Sequence, residues 1–406
     1  LALAGHSSAA EDKSVCGKTF SMATTVASHS SWRDAWFPHE DTVYLNIAGQ
    51  APMPRVAIEA VKASLEWKKF PYLLIDRTEM DFPKRVRASL ANLIGAEAKD
   101  IALTTGASAG LMALAFALDW KPGDEILTAH REFPVQYTTW RPMEAREGVK
   151  LKVIAPRNRW IAAEDFIEAF TPRTRVVSVS MVRFDDGSML DTARLGAACR
   201  AQGILLVLDV SQCCGAIPMD VHTLGADFIT CSGYKWLLGP YGTGFFWASG
   251  ELLAKFRPAP FYWQGIAGLA HYDELIFENP KASDGARGWD SAETASYFNL
   301  AGWDASLNFL QEAGVETVAA HNQKLMTRLF ESLPGNRCVW TSPPEPVRRG
   351  PYGCFAGNTP EQTCELFEHM KKEKLMASLR EGNIRVSTHL YNTEEHIEKI
   401  VRVISR

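Results

Sequence analysis

From Tyr44 onward the chain alternates between short, nearly continuous apolar runs and longer stretches with apolar residues every three or four positions. The first pattern predicts strands buried on both faces, and the second predicts helices with one buried stripe. Helices are expected over residues 54–69, with proline near the start, and over 82–94, closed by Gly95. A strand over 101–105 leads through a Gly-Ala-Ser turn into a long apolar helix reaching about Trp120. After the turn Pro122-Gly123-Asp124, strands are expected over 125–129, 149–154, 175–180, 204–208, 228–231 and 244–247. Helices such as 192–202 lie between several of them.

This alternation predicts an α/β fold with a mostly parallel central sheet sandwiched between helices, its strand ends facing a ligand crevice. Residues 255–295, richer in Pro, Gly and aromatics, read as irregular; from Leu300 a long helix leads into an α+β portion. The expected organisation is a flexible leader over 1–30, with Met22 a candidate start, and a large ligand-binding domain over 70–295. A smaller α+β domain would be made from 31–69 and 296–406. A length of 406 residues suits two or three such units.

Charge narrows the function. Lys plus Arg total 43 and Asp plus Glu total 47, a near-balance that argues against a dedicated nucleic-acid or anionic-membrane binder. No apolar run reaches the roughly 18 residues of a membrane span. The 8 cysteines form no CxxC pair and no zinc-spaced cluster with histidine, which reads as reduced structural thiols and a cytoplasmic location.

Four strand ends carry candidate chemistry. Thr104-Thr105-Gly106-Ala107-Ser108 lies between a strand and a helix, where small residues and a helix N-terminus suit a phosphate, although any tight strand-to-helix turn also needs glycine. Asp209 ends the apolar run Leu205-Leu-Val-Leu, and Gln212 follows three residues on. A carboxylate there either caps a helix or pairs with a protonated ring nitrogen. Lys235 stands between aromatics in Ser232-Gly-Tyr-Lys-Trp236, where desolvation lowers an amine's pKa and suits a Schiff-base lysine; a snorkelling lysine is the plainer reading. Phe133, in Glu132-Phe133-Pro134, could stack on a planar cofactor or belong to the core. A strand-end Asp, a later Schiff-base Lys and an upstream phosphate turn are the parts that pyridoxal 5'-phosphate requires.

The runs Leu208-Asp-Val-Ser-Gln-Cys-Cys-Gly-Ala, Leu224-Gly-Ala-Asp-Phe and Ser232-Gly-Tyr-Lys-Trp-Leu-Leu-Gly-Pro-Tyr-Gly-Thr-Gly resemble the class V aminotransferase family, which includes cysteine desulfurases and isopenicillin-N-epimerase-like proteins. The similarity extends from about Tyr44 to the C-terminus. It implies a fold-type-I enzyme with Lys235 as Schiff-base lysine, Asp209 at the pyridinium nitrogen and Gln212 at the phenolic oxygen. Gly106, Ala107, Ser108 and Ser232 would hold the phosphate, and Phe133 would stack on the ring. Ile384-Arg-Val-Ser-Thr-His-Leu-Tyr-Asn-Thr matches the segment whose arginine, here Arg385, grips the substrate carboxylate, and Asn46 and Gly49-Gln50 match the substrate entrance. A homodimer with the cofactor at its interface is also implied.

Three departures matter. Tyr234 replaces the usual histidine before the lysine, which alters a phosphate contact. Glu293 falls where relatives lend a threonine to the neighbouring subunit's phosphate, so that contact shifts to Ser291 or Thr294 or is lost. The segment before Arg385, Ser378-Leu-Arg-Glu-Gly-Asn-Ile, lacks the mobile cysteine of a desulfurase. The expected function is therefore aminotransfer on an α-amino acid (with a keto acid as the counterpart substrate), with epimerisation or C–S lysis as alternatives and persulfide formation disfavoured. A non-catalytic binding protein on this fold would normally lack the lysine or its aspartate, and a nicotinamide enzyme would need a GxGxxG after a strand. Tyr262, Trp263, His130 and Arg131 are candidate pocket residues.

Overall fold

The computed structural model describes residues 32–74, 81–258, 260–268, 276–292 and 296–406. The chain opens with β1 (Val43–Tyr44), α1 (Arg55–Lys69), α2 (Phe82–Ile94), β2 (Ile101–Thr104) and α3 (Ala107–Ala117). Strand–helix alternation continues through β3 (Glu125–Ala129), α4 (Val135–Glu147), β4 (Lys150–Ile154), α5 (Ala163–Ile167), β5 (Thr174–Ser180) and α6 (Thr192–Ala201). It ends with β6 (Leu205–Asp209), α7 (Val221–Leu224), β7 (Phe228–Ser232), β8 (Gly244–Ala248) and α8 (Gly250–Leu253). Two long helices follow, α9 (Tyr297–Ala313) and α10 (Val315–Ser332). Then come β9 (Cys338–Trp340), β10 (Tyr352–Gly357), α11 (Pro360–Lys372), β11 (Leu375–Met376), β12 (Ser378–Arg380), β13 (Asn383–Ser387) and α12 (Glu394–Ser405).

Seven strands form the central sheet in the order β2-β8-β7-β6-β5-β3-β4. All are aligned except β8, which runs antiparallel to both neighbours. The connection from β7 to β8 contains no crossover helix, so the chain can only fold back beside the strand it has just left. Residue alternation along the strands splits the core in two. Leu103, Leu127, Val177, Leu206, Leu208, Ile229 and Phe245 face α2, α6 and α9. Ala102, Ile126, Val176, Val207, Phe228 and Phe246 face α3 and α4, where Leu111, Leu114, Trp140 and Met143 cover them.

A second, antiparallel sheet runs β12-β13-β10-β9 and packs under α10, α11 and α12 through residues such as Leu325, Met370, Ile397 and Ile400. β1 pairs in parallel with β11, which ties the N-terminal segment to the C-terminal part. Trp36, Ile47 and Ala48 from that segment join the core on one face of the central sheet.

Two polar fastenings hold the elements that present the crevice. Arg87 on α2 makes a bidentate pair with Asp290, Nη1 to Oδ1 at 2.9 Å and Nη2 to Oδ2 at 2.8 Å. Asp290 Oδ1 also accepts from the Leu103 N–H at 2.8 Å, and Arg87 Nη1 donates to the Ile101 carbonyl at 2.9 Å, so the pair holds β2 at both groups. The loop after β5 is held differently. The carbonyls of Arg183, Phe184, Asp185 and Asp186 accept, in turn, from Tyr352 Oη at 2.6 Å, Arg385 Nη1 at 2.9 Å, Asn383 Nδ2 at 3.0 Å and Ser342 Oγ at 2.5 Å. Side chains of the C-terminal part thus grasp four consecutive backbone groups at the end of a central strand.

Candidate active site

Asp209 ends β6 and is buried; its Oδ1 accepts from the Ser211 N–H at 2.8 Å. Among the described residues no hydrogen bond reaches its other oxygen. Lys235 follows β7 and is 7% exposed, yet its Nζ makes no hydrogen bond or ion pair among the described residues. The ammonium instead lies 5.2 Å from the centroid of the Phe133 ring and 5.8 Å from that of Tyr234. Burial lowers the Lys235 pKa, Asp209 partly opposes that, and the positive field of Arg385 lowers it further. Strand ends far apart in sequence therefore meet in one electrostatic environment.

The turn between β2 and α3 is shaped by Gly106, whose φ of +154° is open to glycine and strained for other residues. Gly244 on β8 packs directly against it: a Cβ there would stand 2.5 Å from the Gly106 Cα. Ala107 N–H donates to Ser232 Oγ at 3.1 Å, and Ser232 N–H donates to Ser211 Oγ at 2.9 Å. The ends of β6 and β7 and the start of α3 are thereby linked, with Ser108 exposed on the first turn of the helix. The Ser108 N–H, which bonds no group among the described residues, and the helix dipole let this end receive an anion.

Gln212 turns its amide toward the N-terminal segment: Nε2 donates to the Ala48 carbonyl at 3.0 Å, and Oε1 accepts from Trp236 Nε1 at 3.4 Å. Ala48 N–H donates to Ser387 Oγ at 3.0 Å, and Ala51 N–H donates to the Tyr234 carbonyl at 3.0 Å. This docks Asn46 and Gln50 over the crevice. The Asn46 Oδ1 is buried without a hydrogen-bond partner. Gln50 Oε1 accepts from Tyr241 Oη, and the Tyr241 ring lies 5.3 Å from that of Tyr234.

Arg385 lies on β13, opposite Cys354 and Ser378 in register, and is 1% exposed. Apart from the bond to the Phe184 carbonyl its guanidinium is unsatisfied: Nε has no partner, and no carboxylate among the described residues pairs with it. Burial pushes its pKa down. A guanidinium stays protonated in proteins, so a buried one without a counter-ion is built to receive an anion.

Most sequence-derived candidates thus converge on one crevice: Gly106, Ala107, Ser108, Phe133, Asp209, Gln212, Ser232, Tyr234, Lys235 and Arg385, with Asn46 and Gln50 above them. Glu293 and Thr294 lie outside the described residues, whereas Ser291 N–H donates to the Leu103 carbonyl at 3.0 Å. Tyr262 and Trp263 pack on each other at 6.0 Å, and His130 and Arg131 line a neighbouring cavity. Sequence reasoning passed over Ser211, Tyr241 and above all Phe184, whose ring meets Phe133 edge-on at 5.4 Å and whose carbonyl holds Arg385. The available signal was positional: Phe184 follows the end of β5, one of the strand ends that open on the crevice.

The site fits pyridoxal phosphate on its own terms. It offers an anion seat at Gly106–Ser108, a buried amine with no partner, a half-free carboxylate near that amine and an aromatic face beside it. Comparisons agree. The chain is 27% identical over 379 residues to isopenicillin N epimerase of Streptomyces clavuligerus, covering 88% of this chain and 93% of that protein. It is 24% identical over 388 residues to a probable cysteine desulfurase of Methanothermobacter thermautotrophicus, covering 88% and 92%. The fold matches the structure of the cystine C–S lyase C-DES in complex with cysteine persulfide at a TM-score of 0.80 and 22% identity, over 89% of this chain and 97% of that one. The family model for class-V aminotransferases matches residues 43–355, and the chain belongs to that family of pyridoxal phosphate-dependent enzymes.

Proposed function

We propose that this enzyme transforms an α-amino acid, with Lys235 moving the proton at Cα and aminotransfer as the net reaction. The observation that carries the reading is a buried Lys235 beside a buried Arg385, neither of which has an ion-pair partner among the described residues. Pyridoxal phosphate, when bound, supplies an electron sink that acidifies the Cα–H of an amino acid. Gly106, Ala107, Ser108 and Ser232 would hold its phosphate, Asp209 would keep its ring nitrogen protonated, and Phe133 would stack on its face. Arg385 takes the substrate carboxylate in its planar fork, which fixes the amino acid's orientation. Lys235 would anchor the cofactor through its buried amine, and the same amine lies where it can serve as the base at Cα. Desolvation then favours its neutral form, able to accept the Cα proton and return it.

Epimerisation or C–S cleavage at the same centre is the second reading, favoured by the epimerase likeness and by the shared Cα chemistry. A persulfide-forming route is disfavoured by the thiols. Cys354 is buried opposite Arg385, with its pKa pushed up by burial, and Cys364 lies exposed on α11. Cys16 lies outside the described residues. A homodimer is part of the reading, and gel filtration at monomer size would contradict it.

The deciding experiment adds a panel of amino acids to the holoenzyme. Keto acid in stoichiometric amount without ammonia, leaving the cofactor in its amine form, identifies aminotransfer. Solvent deuterium at Cα without net reaction identifies epimerisation, and keto acid with ammonia a lyase. Lys235→Ala should lose the visible band of lysine-bound cofactor; a band that survives this change, or a protein that never acquires one, sinks the proposal.

A further inference from the structure

Beside the crevice lies a cavity of about 310 Å³ whose wall includes Arg131, Arg159, Arg183, Asp185, Asp186 and Asn383. It borders the candidate active site on three elements. Arg131 lies two residues before Phe133, and Arg183 and Asp185 flank Phe184. Asn383 and Arg385, two apart on β13, point to the same face of that sheet.

The charges along this wall do not cancel locally. Arg131 is neutralised by Glu381, Nη2 to Oε2 at 2.8 Å. Arg183 is shared between Asp185 at 3.3 Å and Glu132 at 3.6 Å. Arg159 donates to the Trp340 carbonyl at 3.2 Å and lies 5.2 Å from the centroid of the Trp160 ring, but no carboxylate among the described residues pairs with it. Asp186 accepts from the Ser188 N–H at 2.8 Å and has no cation paired with it among the described residues; burial and neighbouring Asp185 push its pKa up to about 6. Two further atoms on the wall, Arg183 Nη1 and Asp185 Oδ1, are buried without a hydrogen bond. Arg183 and Asp185 are only 6% exposed each.

A simple anion would meet two carboxylates here, and a simple cation would meet Arg159 and Arg183. A dipolar group satisfies both signs: a carboxylate toward Arg159 and an ammonium toward Asp186. The volume, on the order of ten waters, accommodates an amino-acid head. We propose that the cavity receives a second amino-acid head at the far end of the substrate's side chain, so that the preferred substrates are diamino dicarboxylic acids. This rests on the reading above, in which Arg385 grips the first carboxylate.

The test compares kcat/KM of the holoenzyme for 2,6-diaminopimelate, for lysine, which lacks the distal carboxylate, for 2-aminopimelate, which lacks the distal ammonium, and for alanine. Diaminopimelate should exceed both truncated analogues at least tenfold. Arg159→Gln, a change at an exposed side chain, should shrink the advantage over lysine to within twofold and keep the advantage over 2-aminopimelate. Asp186→Asn should do the reverse. Equal values for the three long substrates, or an advantage over lysine that survives Arg159→Gln, overturns the inference. If alanine turns over while diaminopimelate gains nothing, this inference alone fails; if no amino acid reacts, the proposed function fails with it.

Discussion

At Arg385 a planar cation sits in a dry wall between the Phe184 carbonyl and the Tyr352 ring, 5.5 Å from its centroid, and its geometry sets what a replacement can do. Arg385→Lys keeps the charge and loses the fork, together with the bond to the Phe184 carbonyl. A charge-assisted hydrogen bond is worth about 1.5–3 kcal/mol, so kcat/KM for an α-amino acid should fall roughly 10- to 150-fold, mostly through KM. Cofactor absorption should be unchanged, which separates this loss from damage to the lysine side of the site. A second residue-scale consequence comes from His389, fully buried against Trp36 and Trp236, with neither ring nitrogen hydrogen-bonded. Burial lowers its pKa from 6.5 to about 3. The unfolded chain therefore takes up a proton below pH 6.5 that the folded chain refuses until about pH 3. Stability from this group is whole above pH 6.5 and lost as pH falls, at ~1.4 kcal/mol per pH unit. Urea unfolding at pH 7 and pH 5 should show His389→Gln losing about 2 kcal/mol less than the parent across that interval.

Among the elements, the bidentate pair between Arg87 and Asp290 is a fastening that holds β2, and hence the turn at Gly106–Ser108, in place. Both side chains are largely buried, so Asp290→Ala leaves an uncompensated guanidinium and an unpaired Leu103 N–H. The expected cost is about 3–5 kcal/mol, readable as a lower Tm with weaker cofactor retention. Replacing both partners with apolar residues should recover much of the Tm. The sequence made several of these elements legible, for reasons that also explain the gaps. β3 follows a Pro-Gly-Asp turn and carries Ile126, Leu127 and Ala129, so the span 125–129 is legible in the sequence and agrees with Glu125–Ala129 in the structure. β8 was equally visible as Gly-Phe-Phe-Trp, but an interior strand is apolar in either direction, so its antiparallel course could not be read from composition. β1 escaped notice as a strand because two residues carry no period, and its partner β11 is more than 300 positions away. Asp209 could be found because it ends an apolar run with an ionisable side chain, and Lys235 because it stands between aromatics shortly after one. Phe184 had only its place after a strand end to mark it, because its contact with Arg385 joins residues 201 positions apart.

For the whole molecule, the distinction between near and distant partners has a kinetic side. The phosphate turn, Asp209 and Lys235 lie within one stretch, β2 to β8, whereas the four carbonyls after β5 are held across separations of 156 to 201 residues. Closing loops of that size is entropically costly and tends to come after nearer contacts have formed. On refolding from urea, binding of pyridoxal phosphate should recover ahead of the spectral response to an amino acid, as followed by stopped-flow absorbance. Simultaneous recovery would place those four contacts in the same event as the central sheet. Recovery in that order would make the grasp on four successive carbonyls a timekeeper, with cofactor held before substrate can be recognised. Within that interval a refolding chain would carry the reactive group without the means to select what reacts with it.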